Sequence, residues 1–378
     1  MSSPARLTPL DERFLHQIPY TLDTVCTTDP DFRERIWMSI SDARDRSVMI
    51  DVGMGHYVNR NVQEGWAGIT VGSRQHNFRA SRHLRPDLQT MAVGPLRVET
   101  PDPLRKMRYV LEDNPSGLAF DVTLESTLEP HVEEHHLEIR NGKVVHDLTR
   151  YNLVCRASGV ASWPGGSARL DPEHWFGGRD HSWGLQPDQQ NVSQPTQHVG
   201  RHGTLYTLLY AQFRDWGAFL YVMERMPGIY SYLSGSVLAP AGSGVPPLRV
   251  VGWEHDYHWK TGNPVVEAQS VDLTLITEDG GRHPLSCAFY EPRYFLRSAL
   301  YMGWKGWWQG ADKGPLHVDH DVWDLGDAAL LPEYAVAGGG YDHHAVARSS
   351  TGEVGHAAFE YFVTPGYPRY AEALPPRK

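Results

Sequence analysis

The segment Gly177–Gly184 places an arginine, a carboxylate, an imidazole and an indole between glycines. In a sharply turning backbone, Asp180 and His181 would form an acid–base pair, because a carboxyl group walled by aromatic rings keeps its proton near neutral pH. We predict Asp180 as the general acid and His181 as its orienting partner or base. Arg179 would fix the Asp180 carboxylate or a substrate oxygen. The alternative is a purely conformational turn, in which Asp180 caps the backbone and Trp183 belongs to the core.

Aromatic residues supply the second component that this chemistry needs. An indole face stabilises a passing carbocation by a cation–π attraction of about 0.5 to 2 kcal/mol. Trp183 and Trp308 are predicted to form such a wall, and Trp304 and Trp307 in the segment Gly303–Gly310 add substrate contacts. This segment would close over an apolar ligand or over the junction between two halves of the chain. Core packing of these indoles at a domain interface is the alternative.

One predicted strand of the second half carries a complementary set of side chains. Its residues divide between two faces, with Val251, Trp253, His255, Tyr257 and Trp259 on one and Glu254, Asp256 and His258 on the other. Only one of these faces can line a cavity. His255, Tyr257 and Asp256 are candidate catalytic residues, and Trp253 and Trp259 are candidate substrate-binding residues. The alternative is an ordinary edge strand with amphipathic aromatic side chains.

Sequence signatures of nucleotide or metal cofactors are weak. The chain has no Gly-x-Gly-x-x-Gly loop, no phosphate-binding loop and no Gly-x-Ser-x-Gly elbow. We therefore predict no cofactor and no metal ligands. A metal-dependent enzyme centred on His317 and His320, with Asp319 between them, is an alternative, although the two histidines would point to opposite faces of a strand. The other histidines, including the adjacent His343 and His344, are interpreted as solvated surface residues.

Composition and charge limit the partners. Lys and Arg number 35 against 45 Asp and Glu, giving a net charge of −10 without any block of like charges, so neither nucleic acid nor an anionic membrane is an expected partner. The 12 Trp and 18 Tyr predict an aromatic-lined cavity for a hydrophobic small-molecule substrate, with core packing as the rival explanation. Three scattered cysteines indicate free thiols. Because no segment resembles a signal peptide or approaches the roughly 20 apolar residues of a membrane span, we predict a cytoplasmic protein without stable membrane insertion. A homodimer is compatible with the sequence.

The pattern of the chain is that of a β protein. Short alternating segments separated by Gly, Pro, Asn and Asp recur throughout, whereas helical periodicity is scarce. We predict an all-β fold of two tandem antiparallel barrels or barrel-like sandwiches, formed by residues 1–190 and 191–378 and joined by a polar linker over Leu185–Gly200. A β-bulge is expected near Ser270, where the hydrophobic alternation changes phase. A short helix is expected at Pro130–Leu137.

The Gly-x-x-Asp-His-x-Trp-Gly pattern of Gly177–Gly184 resembles the carotenoid 1,2-hydratase (hydroxyneurosporene synthase) group, with weaker similarity at Trp37–Asp42 and Gly355–Glu360. The resemblance implies two lipocalin-like domains and a hydrophobic, often isoprenoid, substrate bound without an organic cofactor. It also implies chemistry by acidic and aromatic residues in a cavity near the domain junction. The motif positions fall on Asp180, His181 and Trp183. Arg179 stands where the hydratases often have an aromatic or small residue, which argues against a carotenoid substrate.

These observations predict a hydratase/dehydratase or isomerase that acts on a terpenoid, steroid or polyketide-like molecule by acid–base catalysis. Proteins of this architecture also perform other reactions, so architecture alone does not choose between them. The alternative is a non-catalytic binding or carrier protein for an apolar ligand. In that case the segment Gly177–Gly184 would only hold the two halves together.

Overall fold

The protein consists of two antiparallel β-barrels, and the predicted all-β fold of two tandem lipocalin-like barrels is confirmed. The computed structural model describes residues 7–14, 16, 24–140, 142–186, 203–336 and 339–374. The proposed boundary at residues 190 and 191, and the linker from residue 187 onward, lie outside the described residues. The division into domains therefore stays a prediction.

Barrel 1 is built from the strands of the first half of the chain. These strands are β1 Phe32–Asp42, β2 Val48–Tyr57, β3 Val62–Val71, β4 Arg74–His83, β5 Ala92–Val93, β6 Leu96–Asp102, β7 Lys106–Leu111, β8 Ala119–Ser126, β9 His131–Val132, β10 His136–Arg140, β11 Lys143–Trp163, β12 Gly166–Leu170 and β13 Trp175–Leu185. The main path of hydrogen-bonded neighbours runs β4-β3-β2-β1-β13-β11-β8-β7-β6-β5. Side-chain hydrogen bonds join β3 and β4 to β5 and the residues just before it: the Gln63 amide donates to the carbonyl of Thr90 at 3.0 Å and the Arg82 guanidinium donates to the carbonyl of Ala92 at 2.9 Å. These bonds bring the two ends of the sheet together.

Barrel 2 is closed and comes from the second half. Its strands, together with β20, are β14 Leu205–Gln212, β15 Gly217–Met226, β16 Ile229–Leu238, β17 Leu248–Trp259, β18 Ala268–Thr277, β19 Arg282–Phe295, β20 Leu316–Asp324, β21 Tyr341–Ser349 and β22 Val354–Val363. The helical elements of the described residues are short: Pro9–Glu12, Val58–Arg60, Leu296–Ala299, Leu331–Tyr334 and Ala371–Ala373. None of these helices has the length and apolar character needed to cross a membrane.

Strand β20 belongs to the second half in sequence but extends the sheet of barrel 1 by pairing with β4. The fully buried Arg79 of β4 anchors it, since its guanidinium donates to Asp321 at 2.8 Å and to Asp319 at 3.3 Å. The side chain of Asn77 donates to the same Asp321 carboxylate at 2.9 Å. The two halves of the chain are therefore joined by strand pairing as well as by side-chain packing.

Strict alternation along the strands separates a barrel interior from a junction between the barrels. In β1, Ile36, Met38 and Ile40 face the core of barrel 1, while Trp37 packs in the cluster shared with barrel 2. Every residue of β1 is buried, because barrel 2 covers the face that a single barrel would expose to water. Polar side chains on that outer face, such as Ser39, are consequently buried as well.

Close packing at the junction explains one glycine of the Gly177–Gly184 segment. A Cβ atom built on Gly178 would lie 2.4 Å from the Tyr210 ring of β14. We expect Gly178→Ala to lower the free energy of unfolding by about 1 to 3 kcal/mol, because a crowded interface cannot absorb an extra methyl group. Chemical denaturation is the measurement. The control is Gly252→Ala, whose Cβ would meet its nearest atom at 3.7 Å. Equal stability of the two variants would contradict the packing argument.

Two further sequence predictions have clear outcomes. The bulge near Ser270 is confirmed, because His258 pairs with Ser270 while Trp259 pairs with Ala268, leaving one extra residue on β18. The helix expected at Pro130–Leu137 is wrong. That region contributes β9 and the start of β10, which pair with β11, because the edge of the long β11 strand offers backbone partners that outweigh local helical preference.

Candidate functional site

Strand β13 sends the predicted catalytic residues to two different places. His181 pairs across the sheet with Ile36 and faces the interior of barrel 1, whereas Asp180 pairs with Trp37 and faces the junction. Because consecutive side chains of a strand point to opposite faces, the structure does not bring Asp180 and His181 together as an acid–base couple. Arg179 lies on the His181 side, fully buried. The structure thus presents two polar sites on either side of one strand.

At the junction, Asp180 is held by an arginine that the sequence did not single out. Its side chain is 14% exposed and forms an ion pair with Arg150, at 3.3 Å from Oδ2 to Nε. Arg150 also pairs with the buried Glu133 at 3.4 Å, and Asn152 donates to Glu133 at 2.8 Å. Burial raises the pKa of Asp180 to about 6, although Arg150 opposes the shift. Asp180 can therefore carry a proton close to neutral pH.

Three more carboxyl groups lie at the junction with few cations to balance them. Burial raises the pKa of Asp51 to about 7, and burial together with the neighbouring Asp51 charge raises that of Asp342. The Trp37 indole donates to Asp342 at 3.2 Å. Burial also raises the pKa of Glu360 to about 8, with Asp342 and Asp180 contributing by repulsion. We call Asp51, Glu133, Arg150, Asp180, Asp342 and Glu360 the junction cluster.

Aromatic side chains surround the junction cluster. The Tyr206 hydroxyl donates to Glu360 at 3.3 Å, and the guanidinium of Arg35 lies 5.0 Å from the centre of the Tyr301 ring. Asp180, Tyr301 and Glu360 each keep partial exposure, while Trp37 and Tyr206 are buried. The arrangement is that of proton-carrying carboxyl groups, of which Asp180 and Glu360 are partly exposed, packed against aromatic rings.

The second polar site lies inside barrel 1 and begins at a segment near the N-terminus. The Arg179 guanidinium donates to both carboxylate oxygens of Glu12, at 3.1 and 3.0 Å, and both side chains are fully buried. Burial opposes ionisation of Glu12, but Arg179 and a hydrogen bond from Tyr151 outweigh it and hold its pKa below the ordinary value. The Tyr151 hydroxyl also contacts Nδ1 of His181 at 3.1 Å. Arg179 is thus occupied by Glu12 and does not contact Asp180.

The same polar chain continues from His181 to two further residues. Nε2 of His181 lies 2.8 Å from Oε1 of Glu34, and Nδ1 of His16 lies 2.7 Å from the same oxygen. Burial opposes ionisation of Glu34, yet the hydrogen bonds from His16 and His181 keep its pKa below the ordinary value. The Trp183 ring stacks on the His16 ring with centroids 3.4 Å apart. Trp183 therefore walls this interior site and not the junction.

Sequence reasoning missed Glu12, His16 and Glu34. A usable signal existed for Glu34, since it lies in phase with Ile36 and the other core-facing residues of β1. A carboxylate in phase with a core face calls for a buried partner. No local pattern could have revealed Glu12 or His16 as site residues, because Arg179 and Glu34, the groups that they contact inside the barrel, lie on separate strands.

The predicted residues of β17 form a third polar group, inside barrel 2. Nε2 of His255 lies 3.1 Å from Glu224, and its Nδ1 lies 2.8 Å from the Tyr370 hydroxyl. The Tyr257 ring stacks on Trp259 at 4.8 Å. The inward-facing residues are Trp253, His255, Tyr257 and Trp259. None of these side chains faces the junction, where Asp180 lies.

Two residues of β17 depart from the expected faces or roles. Asp256 lies on the outer surface with 62% of its side chain exposed and pairs with Arg369 at 3.2 Å, so it is separated from His255. The prediction that Val251 shares the inward face is wrong, because a shift in strand pairing between Val250 and Gly252 turns Val251 outward.

The tryptophan-rich segment links the two barrels. Trp304 and Trp307 are buried, and the Trp304 indole donates to Asp321 of β20 at 2.8 Å. The next residues attach to barrel 1, since the side chain of Gln309 accepts hydrogen bonds from Arg33 and Arg35 at 3.1 and 3.2 Å. Trp308 packs over Gly303 and is not brought next to Trp183. The segment lies between the halves, which is one of the two roles expected for it.

Histidines outside the predicted site divide between surface and interior. Among the described residues, the groups with three converging potential metal ligands are His16/Glu34/His181, His136/Glu138/His146 and Asp171/Glu173/His174, and none contains His317 or His320. The interpretation of His343 and His344 as solvated is wrong. His343 bonds to Tyr361 inside barrel 2 at 2.9 Å, and His344 contacts Ser39 across the junction at 3.0 Å.

The fold is that of a tandem lipocalin-like protein, and in this chain buried polar groups lie both inside and between the barrels. Residues 7–361 match the model of a family of unknown function, DUF8625, and the chain belongs to that family. No curated protein matches the chain.

Several solved structures align with most of this chain at low sequence identity. An AttH-like protein from Nitrosomonas europaea aligns with a TM-score of 0.54 and 8% identity over 93% of this chain and 98% of that chain. Kievitone hydratase from Nectria haematococca aligns with a TM-score of 0.47 and 13% identity over 86% of this chain and 88% of that chain. CghA with Sch210972 aligns with a TM-score of 0.46 and 12% identity over 89% of both chains. The alignment with the AttH-like protein supports the fold of two lipocalin-like barrels that the resemblance to the carotenoid hydratase group implies, and the activity that it implies stays a prediction.

Proposed function

We propose that this protein is an acid–base enzyme without an organic cofactor, a hydratase/dehydratase or isomerase that acts on a hydrophobic terpenoid, steroid or polyketide-like molecule at the junction between the barrels. The observation that carries the proposal is Asp180, a largely buried carboxyl group with a pKa raised to about 6 by that burial. It lies beside Trp37 on the same face of the sheet. A group of this kind is poised to give and take a proton near neutral pH.

In the proposed reaction, the residues at the junction have separate roles. In hydration, protonated Asp180 delivers its proton to one alkene carbon, and the electron pair of the double bond forms the new C–H bond. The resulting carbocation faces Trp37 and Tyr301, whose ring faces attract positive charge. Water then adds to the cation, and the now ionised Asp180 removes the extra proton, which restores its acid form for the next turnover. Dehydration is the same sequence reversed, and loss of a different proton gives isomerisation.

Arg150 positions the acid in this scheme, a role that the sequence had assigned to Arg179. Its guanidinium holds Asp180 and Glu133 together and lies 5.1 Å from the centre of the Tyr221 ring. By holding Asp180 in one orientation, Arg150 would limit the carboxyl group to a productive approach.

The test of this function uses water enriched in heavy oxygen and a panel of purified terpenoid, steroid and polyketide alkenes with their corresponding alcohols. Mass spectrometry records incorporation or loss of the label, and chromatography records isomers. We expect Asp180→Asn to lower turnover by about 100-fold or more, since it removes the proton without changing the shape of the side chain. The control is Asp215→Asn in an exposed turn of barrel 2. A folded Asp180→Asn protein with wild-type turnover contradicts the proposal.

The carrier alternative predicts a different result in native mass spectrometry of the purified protein incubated with the same panel. Carriage is supported if a ligand binds in stoichiometric amount and is released with its structure unchanged and without the oxygen label. A product of altered mass or altered retention supports catalysis.

A further inference from the structure

The interior of barrel 1 contains three metal-ligand types that converge on one point. One potential ligand atom each of His16, Glu34 and His181 lies within 4.8 Å of the other two. His181 is fully buried, and the side chains of Glu34 and His16 are only 5% and 14% exposed. Two imidazoles and one carboxylate form a ligand set that suits zinc and related divalent transition metals.

In both imidazoles, the nitrogen that faces away from Glu34, called here the outward nitrogen, already has a hydrogen-bond partner, as in metal-ligating histidines. The Tyr151 hydroxyl has one hydrogen, which it donates to Glu12, so it accepts from Nδ1–H of His181. Nε2 of His16 lies 3.1 Å from Oδ1 of Asp11 and donates to it. A metal-binding histidine usually gives its second N–H to a carboxylate or similar acceptor, which fixes the ring and its tautomer.

The two nitrogens that face Glu34, Nδ1 of His16 and Nε2 of His181, converge on a single carboxylate oxygen at 2.7 and 2.8 Å. With a proton on each outward nitrogen, each inward nitrogen can donate to Glu34 only when its ring carries a second proton. A divalent cation between the three atoms would take the place of those two second protons and supply the same charge.

We propose that His16, Glu34 and His181 form a binding site for a divalent transition-metal ion, with zinc as the best-suited ion. Tetrahedral ligands at roughly 2.0 to 2.2 Å from zinc lie about 3.3 Å apart, so the present spacings must open by roughly 0.5 Å. Three protein ligands leave one coordination position for water or for an oxygen atom of a bound molecule. The neighbouring His56 on β2 is buried, with no hydrogen-bond partner for Nε2 among the described residues.

The remaining ligand groups of the described chain are less suited to this role. Asp171, Glu173 and His174 lie in an exposed turn, where Asp171 already binds His174 at 2.8 Å. His136 is only partly buried and stacks on Tyr232. The interior group alone combines burial with bound outward nitrogens. Because this site lies on the opposite side of β13 from Asp180, its existence does not depend on the proposed junction chemistry.

The experiment removes metal from the full-length protein with a chelator and titrates zinc back in competition with a chromophoric chelator. We expect about one zinc per chain for wild type and binding at least about 100-fold weaker for His16→Ala, which removes one ligand. Asp11→Asn removes only the outward partner of His16 and is expected to weaken binding by about 10- to 100-fold. Substitution with cobalt should give visible absorption bands of a tetrahedral site in wild type and lose them in His16→Ala.

Controls make each outcome decisive. His146→Ala alters the group of potential ligands His136/Glu138/His146 on β10 and β11, and this variant should bind zinc as wild type does. Circular dichroism verifies the fold, and Glu34→Gln provides a second ligand variant of unchanged shape if His16→Ala is unfolded. Zinc retained at wild-type affinity by a folded ligand variant overturns the proposal. Loss of zinc in His146→Ala, or wild-type binding no stronger than that of the ligand variants, overturns it as well.

Discussion

Replacing Arg179 with methionine is expected to lower the free energy of unfolding by about 3 to 5 kcal/mol. The guanidinium and the Glu12 carboxylate form a two-pronged pair in which neither side chain is exposed. Methionine fills much of the space but leaves the Glu12 charge inside barrel 1 with only the Tyr151 hydroxyl as a strong donor. An unpaired buried carboxylate must either bear the desolvation cost or take up a proton. Urea denaturation followed by circular dichroism measures the loss.

The double variant Glu12→Gln/Arg179→Met is the control for this prediction. It removes both charges together, so we expect it to be more stable than Arg179→Met alone. A loss equal to the sum of the two single losses would show that the two charges do not interact. The comparison also tests whether the helix Pro9–Glu12 is held against barrel 1 by this pair, since release of the segment should increase its digestion by proteases in Arg179→Met.

The alternating pattern of the sequence was sufficient to predict an all-β fold of antiparallel strands, because strand alternation is a local property. The placement of Trp253, His255, Tyr257 and Trp259 on one face of β17 follows from it directly, and the structure shows that this face is the buried one. The exception at Val251 arises from a pairing shift, and such a shift depends on the partner strand as well as on the strand itself. Local patterns therefore predict faces until a bulge changes the phase.

The predicted pairing of Asp180 with His181 came from treating a glycine-rich segment as a turn. In the structure this segment is the long strand β13, where neighbouring residues face opposite sides. Gly178 is present because Tyr210 approaches the backbone and not because the chain turns there. Only the packing of barrel 2 against barrel 1 reveals that reason, so the sequence alone could not distinguish the two uses of glycine.

The junction cluster was hidden from sequence analysis for a related reason. Asp51, Asp342 and Glu360 occupy positions that would face water in an isolated barrel, which is the usual place for a charged residue. The burial of Asp51 and Asp342 and the partial burial of Glu360 come from the association of two barrels whose strands are far apart in sequence. A polar outer face therefore resembles ordinary surface until the second barrel is placed against it.

The same cluster leads to an expected dependence of stability on pH. The folded-state pKa of Asp51 is about 7, against an ordinary value of 3.8, with burial as the main cause. A carboxyl group with a raised pKa stabilises the fold fully below its unfolded pKa, and that contribution is lost as the pH rises through the folded pKa. Between about pH 5 and pH 8 we expect the Asp51 carboxyl to cost roughly 2 to 3 kcal/mol of unfolding free energy.

Asp51→Asn should remove this loss. The amide cannot ionise, and it can donate a hydrogen bond to Asp342 as a protonated carboxyl group does. Unfolding free energies of wild type and variant, measured by urea denaturation at several pH values over this interval, should diverge with rising pH in favour of the variant. Asp342→Asn should act in the same direction, because it removes the neighbouring charge and the groups titrate as a pair. Ser39 and Trp37, the other polar contacts of the pair, do not titrate in this range. A constant difference between wild type and both variants from acid to alkaline pH would mean that the two carboxyl groups do not share a proton in the folded protein.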